Sequence, residues 1–104
     1  MIKIKKKDIY QDFIDTFGEE LQLDIAIEEM SELTKAICKY RRYFQSANSK
    51  EREKLLDDIA EEIADVSMMM EILTRIVGTN RVQKYDELKL QRGKARLEKK
   101  HDEN

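Results

Sequence analysis

Two short segments of the chain carry the same pattern of acidic residues. Six carboxylates occupy matching positions in them, those of Glu28, Glu29, Glu32, Glu61, Glu62 and Asp65. Residues three or four apart share one face of an α-helix, so Glu29 would neighbour Glu32, and Glu62 would neighbour Asp65. Like charges at that spacing repel by roughly 0.2–0.5 kcal/mol per pair, even on an exposed helix. A bound cation would offset the repulsion, so the pattern predicts a divalent metal and, through it, a polyphosphate.

A helical wheel places several of these acids beside apolar side chains. Glu62 and Asp65 fall at the edge of the apolar stripe of their segment, and Glu29 borders the stripe of the other. A carboxylate against apolar surface either stays protonated or meets a cation, because an unpaired buried charge costs several kcal/mol. A solvated acidic surface explains one such motif, but two copies at the edge of the core favour a metal site.

The types of the available ligands narrow the choice of metal. Ligands made only of oxygen suit Mg²⁺, Mn²⁺ or Ca²⁺. The only histidine is His101 and the only cysteine is Cys38, which disfavours di-iron and zinc sites. Mg²⁺ held by a few carboxylates keeps coordination positions that substrate phosphates fill. Basic residues that could neutralise a phosphate follow the first motif and recur near the C-terminus: Lys35, Lys39, Lys89, Arg92, Lys94 and Arg96.

Apolar periodicity predicts the helices that would position these residues. The spacing favours helices over about 7–17, 19–44, 50–77 and 80–99, within a single domain spanning residues 1–104. Gly18 and Gly78 are expected to end helices. Ser49 is expected to cap the third helix, Thr79 or Asn80 to cap the fourth, and the tail from His101 to Asn104 to fray. The predicted fold is an all-α antiparallel bundle of about four helices, whose two long central helices carry the metal site.

The composition agrees with long helices and limits the possible settings. Hydrophobic and charged residues each make up 40% of the chain, and proline is absent. So little apolar material in 104 residues favours completing the core by oligomerisation. The net charge of −2 gives no reason to expect nucleic acid, and no segment is apolar enough to span a membrane. A lone cysteine and the lack of a signal-peptide pattern lead us to expect a cytoplasmic protein.

The paired acidic motifs resemble those of a known family. Segment 28–32 (EEMSE) followed by segment 62–65 (EIAD) is similar to the EExxE and ExxD signature of the MazG-like all-α nucleoside triphosphate pyrophosphohydrolases, a superfamily that also contains the dimeric all-helical dUTPases. Segment 17–22 (FGEELQ) looks like the family's entry to its first metal helix. Segment 89–96 is similar to a downstream basic pattern, with Gly93 standing where that pattern has Asn. The likeness covers roughly residues 17 to 97.

The resemblance implies an activity and a role for each site residue. It implies a Mg²⁺-dependent hydrolase, with Mn²⁺ as a possible substitute, that converts a nucleoside triphosphate to the monophosphate and pyrophosphate. The implied metal ligands are Glu29, Glu32, Glu62 and Asp65. Glu28, or less favourably Glu61, would orient or deprotonate the attacking water. The implied phosphate-binding residues are Lys35, Lys89, Arg92 and Arg96, and family members act as homodimers or homotetramers.

Other functions fit the same residues. Within enzymes, the alternative is a narrow dUTPase or dCTPase in place of a broad nucleotide-pool hydrolase, and the sequence does not identify the preferred base. Outside enzymes, the alternative is a helical interaction module, or a module that binds metal or nucleotide without catalysis. A substrate panel separates the first pair, and substitution of Glu62 or Asp65 separates an enzyme from a module.

Overall fold

The computed structural model describes residues 6 to 103, and the regular secondary structure within that range is entirely α-helical. Residues 1 to 5 and 104, which belong to the predicted domain, lie outside the described part. Its helices are α1 (Lys6–Phe17), α2 (Glu19–Tyr43), α3 (Ser49–Val77) and α4 (Thr79–Asp102). The predicted all-α class is therefore confirmed, and the predicted helix bounds are within three residues of those observed. No described helix is long and apolar enough to cross a membrane.

Single glycines separate α1 from α2 and α3 from α4. Gly18 has φ of 88° and Gly78 has φ of 107°, in the left-handed region that side chains with a Cβ disfavour. Each closes the preceding helix through its N–H, which donates to the carbonyl of Ile14 at 2.8 Å or of Thr74 at 2.9 Å. The chain can therefore change direction within one residue at both junctions, as the sequence predicted.

The connection between α2 and α3 is capped by Asn48. The Glu51 N–H donates to Asn48 Oδ1 at 2.9 Å, and Asn48 N–H donates to Glu51 Oε1 at 3.1 Å, which completes a capping box. The prediction that Ser49 is the cap is wrong by one residue, because the Asn48 side chain already satisfies that amide. The start of α4 also differs from expectation, since Gly78 precedes it and no side chain caps it.

Packing is concentrated on the pair α2 and α3, which a five-residue connection makes antiparallel neighbours. Helix α1 lies against both of them, whereas α4 contacts only α3. The main buried cluster is small and combines Tyr10 of α1, Ala26 of α2, and Met69 and Ile72 of α3. The Arg75 guanidinium lies 4.9 Å from the Tyr10 ring centroid and fastens α1 to α3.

Much of the expected core surface is exposed in the single chain. Apolar periodicity would place Ile27 of α2 in the core, but Ile27 is 61% exposed, whereas its neighbour Ala26 is 1% exposed. A matching stripe recurs every seven residues on α3. Eight exposed apolar residues of the two helices follow these stripes and are here called the apolar face: Leu23, Ile27, Met30, Ile37, Leu56, Ile63, Met70 and Val77. Helix α4 contributes no buried residue.

Removal of the observed cap should be measurably destabilising. We expect Asn48→Ala to lower the free energy of unfolding by about 1 kcal/mol, because it leaves the first-turn N–H groups of α3 without their acceptor. Ser49→Ala is the matched control and should change stability much less. Urea unfolding followed by circular dichroism measures both. A larger loss for Ser49→Ala than for Asn48→Ala would return the cap to Ser49.

Candidate metal centre

Three carboxylates from two helices meet at the seam between α2 and α3. Glu29 projects from α2, and Glu62 and Asp65 project from α3 one turn apart. One carboxylate oxygen from each residue lies within 4.8 Å of the other two. In octahedral coordination at 2.0–2.1 Å, adjacent ligands are about 2.9 Å apart and opposite ligands about 4.2 Å apart, so modest side-chain movements would bring the three oxygens around one Mg²⁺. We call Glu29, Glu62 and Asp65 the carboxylate trio.

Glu62 carries the clearest sign of an unmet interaction. Its Oε2 has almost no accessible surface and no hydrogen-bond partner among the described residues. Burial raises the pKa of Glu62 above its ordinary value, and the nearby charges of Asp65 and Glu32 raise it further. A buried carboxylate oxygen without a donor is costly, so this position favours a proton or a cation.

The pKa of Glu29, on the opposite helix, is also raised. Burial is the first cause of its raised pKa, followed by the charges of Asp65 and Glu62 and by a hydrogen bond shared with Asp65. Two of the three trio members therefore resist ionisation for the same reasons. The donor set is purely oxygen, is negatively charged and includes an orphaned atom, which are the features that suit Mg²⁺ or Mn²⁺.

The remaining predicted residues of the acidic motifs lie beside the trio. Glu32 forms an ion pair with Lys35, with Oε1 and Nζ 3.3 Å apart. Glu32 is not one of the three carboxylates that lie close together. Glu32 still borders Glu62, whose pKa it raises. Glu28 is exposed and lies near enough to Glu29 to add to the charge around it. The structure thus brings three of the four predicted ligands together and holds Glu32 one turn away.

The basic residues predicted on the last helix are not brought to the trio within one chain. Lys89, Arg92 and Arg96 are exposed on α4, which contacts only α3. Asp65 is twelve residues before the end of α3, about 18 Å along the helix axis from the point where α4 begins. Their predicted role as phosphate ligands stays a prediction.

An apolar cavity of about 300 Å³ opens beside the trio. Glu29 and Asp65 form one wall, and aromatic and aliphatic side chains of all three packed helices form the rest, including Phe13, Phe17, Ile25, Met68 and Ile72. Such a cavity suits a flat or aliphatic group rather than a charged one.

Gln22 lines this cavity and was not predicted as a site residue. Its side chain is 2% exposed, and its amide makes no hydrogen bond with the described residues. An amide at the cavity wall can pair with the polar edge of a ligand. One signal was available in the sequence, because Gln22 precedes Glu29 by seven residues and so shares its helix face.

No family model, curated protein or solved structure matches the chain. The function is therefore inferred from the site itself together with the resemblance of the two acidic motifs.

The raised pKa of Glu62 gives a testable dependence of stability on pH. Because its pKa is higher in the folded state, its favourable contribution is complete below the ordinary value of 4.5 and is lost as the pH rises through the raised pKa. In EDTA we expect Glu62→Gln to melt at a higher temperature than the wild type at pH 7.5, and the difference to shrink towards pH 4.5. Thermal unfolding followed by circular dichroism measures the difference.

The control is Glu61→Gln, which removes a carboxylate from the exposed side of the same turn. It should show a smaller difference across the same pH range. If the wild type is more stable than Glu62→Gln at pH 7.5 in EDTA, the ionised Glu62 carboxylate does not destabilise the fold and the prediction is wrong.

Proposed function

We propose that this protein is a Mg²⁺-dependent nucleoside triphosphate pyrophosphohydrolase. The observation that carries the proposal is the carboxylate trio with its orphaned Glu62 oxygen, placed directly beside an apolar cavity. A site that joins a cation-binding surface to an apolar cavity has the chemistry to hold a nucleotide, since the phosphates need the cation and the base needs the cavity. The choice of reaction, cleavage of a nucleoside triphosphate to the monophosphate and pyrophosphate, comes from the resemblance of the motifs to the MazG-like family.

Glu29, Glu62 and Asp65 would hold the metal, with Glu32 available after release from Lys35. Mg²⁺ bound there would supply Lewis acidity and neutralise charge on the phosphates. Glu28 lies next to this surface and would accept the proton of the attacking water. Oxygen of that water forms the new bond to phosphorus, the anhydride bond between the α- and β-phosphates breaks, and pyrophosphate leaves.

The apolar cavity would take the nucleobase and sugar. The unpaired Gln22 amide offers both a donor and an acceptor, and every nucleobase has an edge that presents both. This amide would therefore orient the base without excluding any one base by itself. A broad nucleotide-pool hydrolase and a narrow dUTPase or dCTPase both remain within the proposal.

We also propose that the working form is a homodimer or homotetramer joined through the apolar face. The eight side chains of the apolar face are 39% to 61% exposed, which favours their burial against a second copy. On α2 the residues Ile27 and Glu29 are separated by about 200° around the helix, so the apolar face points away from the trio. A second copy could cover that face and leave the site open.

The activity is tested by the products formed from a panel of nucleoside and deoxynucleoside triphosphates. We expect pyrophosphate rather than orthophosphate, with Mg²⁺ or Mn²⁺ required and EDTA inhibitory. Glu62→Gln should lower the rate by about 100-fold or more, because it removes a charged ligand. Enzyme-coupled assays specific for pyrophosphate and for orthophosphate measure the two products.

Glu98→Gln on α4 is the control, since it removes an exposed carboxylate outside the site, and it should keep full activity. If the folded protein cleaves no nucleotide in the panel, the hydrolase proposal fails. A non-catalytic interaction or metal-binding module would then be the better description.

Assembly is tested by placing a charge on the apolar face. We expect the wild type to sediment as a multiple of its 12.4 kDa chain, and Met70→Glu to shift the equilibrium towards monomer, because a carboxylate there would be buried in the interface. Ile9→Glu on α1 is a matched control, since Ile9 and Met70 are both 39% exposed. Sedimentation equilibrium measures the masses. A monomeric wild type at micromolar concentration would overturn this assignment.

A further inference from the structure

The groove that holds the carboxylate trio continues along the seam towards the α2–α3 connection. A cavity of about 200 Å³ follows the trio, lined by the carboxylates of Glu32, Asp58, Glu61 and Glu62 and by Lys35 and Lys39. Lys39 and Asp58 also line a larger cavity of about 390 Å³ that reaches the start of α3. The two cavities share these residues, so a ligand at the trio has a continuous path to the far end of the groove.

Lysines dominate the far end. Lys39, Lys50 and Lys54 line the outer cavity together with two acids, Glu51 and Asp58. We call the three lysines the lysine cluster. Both acids are already engaged, since Glu51 Oε1 accepts from the Asn48 N–H at 3.1 Å and Asp58 Oδ1 accepts from Lys54 Nζ at 2.8 Å. Within residues 6 to 103, Lys39 and Lys50 have no ion-pair partner. The cavity therefore carries surplus positive charge.

Two further features of this end favour the binding of an anion: the helix dipole of α3 and a fixed backbone. The N-terminus of α3, a helix of 29 residues, lies here and adds the positive end of its dipole. Arg52 holds the connection in place, because its Nε donates to the Phe44 carbonyl at 2.9 Å and its guanidinium lies 4.4 Å from the Phe44 ring centroid. The backbone that carries the lysine cluster is thus fixed before any ligand binds.

The spacing matches a chain of phosphates that begins at the trio. Lys54 is eight residues before Glu62 on α3, about 12 Å along the axis, and Lys39 is ten residues after Glu29 on α2, about 15 Å. A long lysine side chain pointing back along the groove shortens each gap to the span of a few linked phosphates. Lys35 and Lys39 line the same cavity as Glu62. Because Lys35 is paired with Glu32 at 3.3 Å, Lys39 is the cation of that cavity without an ion-pair partner among the described residues.

We propose that the lysine cluster is the subsite for the outer two phosphates of the nucleotide and for the pyrophosphate that leaves. The assignment of this ligand rests on the proposed function, whereas the affinity of the cluster for pyrophosphate does not require catalysis. It also supplies, within one chain, the phosphate-binding cations that α4 does not bring to the trio.

The test is the binding of inorganic pyrophosphate to the full chain, measured by isothermal titration calorimetry in EDTA and in Mg²⁺. We expect Lys39→Gln/Lys50→Gln to weaken binding about tenfold or more in EDTA, because two unpaired cations are removed. Lys39→Arg/Lys50→Arg should restore it, since the charges return. Lys84→Gln/Lys99→Gln on α4 is the charge-matched control and should bind as the wild type does. Circular dichroism verifies that each variant is folded.

The outcomes separate this inference from the proposed function. Binding that depends on Lys39 and Lys50 and persists in Glu62→Gln in EDTA supports the subsite, even if no nucleotide is hydrolysed. Hydrolysis that requires Glu62, together with pyrophosphate binding indifferent to both lysines, overturns the subsite and leaves the hydrolase standing. In an active enzyme, the double variant should also raise the inhibition constant of pyrophosphate about tenfold and leave that of the monophosphate unchanged.

Discussion

The mutual repulsion of Glu29, Glu62 and Asp65 is the constraint on which the rest of the structure depends. These carboxylates are held together by the most extensive helix contact in the molecule, and the buried side chains Ala26 and Met69 lie within about one turn of them. Apolar packing therefore supplies the free energy that opposes the charge repulsion. A cation or a proton that takes up the negative charge would stabilise this arrangement further.

In the α2–α3 hairpin, each helix has three surfaces, so the apolar face and the groove with the carboxylate trio are separate. One surface packs at the seam, a second lines the groove, and a third forms the apolar face on the opposite side. On α3 the sequence neighbours Glu62 and Ile63 illustrate this, since one points into the groove and the other is half exposed on the apolar face. A second chain can therefore bury apolar surface without crowding the trio, and it would stiffen the helices that carry the ligands.

The sequence predicted the helices well because they depend on local spacing. Apolar periodicity and two glycines located every helix, and the acidic motifs contained all three members of the trio. The sequence could not identify which apolar stripe faces inward, because α2 and α3 each have apolar residues on two adjacent surfaces. It also missed Gln22, whose place in the cavity depends on how the helices pack, and a helical wheel of one segment carries no information about its neighbour. The cap at Asn48 was missed by one residue although capping is local, and phosphate binding by α4 stays a prediction.

The order of side-chain types along the groove favours the proposed nucleotide site over a solvated acidic surface. An acidic surface that binds a partner protein would keep its carboxylates in water, where they retain their charge at little cost. Here one oxygen of Glu62 is buried without a donor and apolar surface begins on one side of it, while on the other side a cavity lined by carboxylates and by Lys35 and Lys39 precedes the lysine cluster. A nucleotide presents the same sequence of an uncharged base, a metal-bound phosphate and further anionic phosphates. The match in order favours a single extended ligand over separate sites for a metal and an anion.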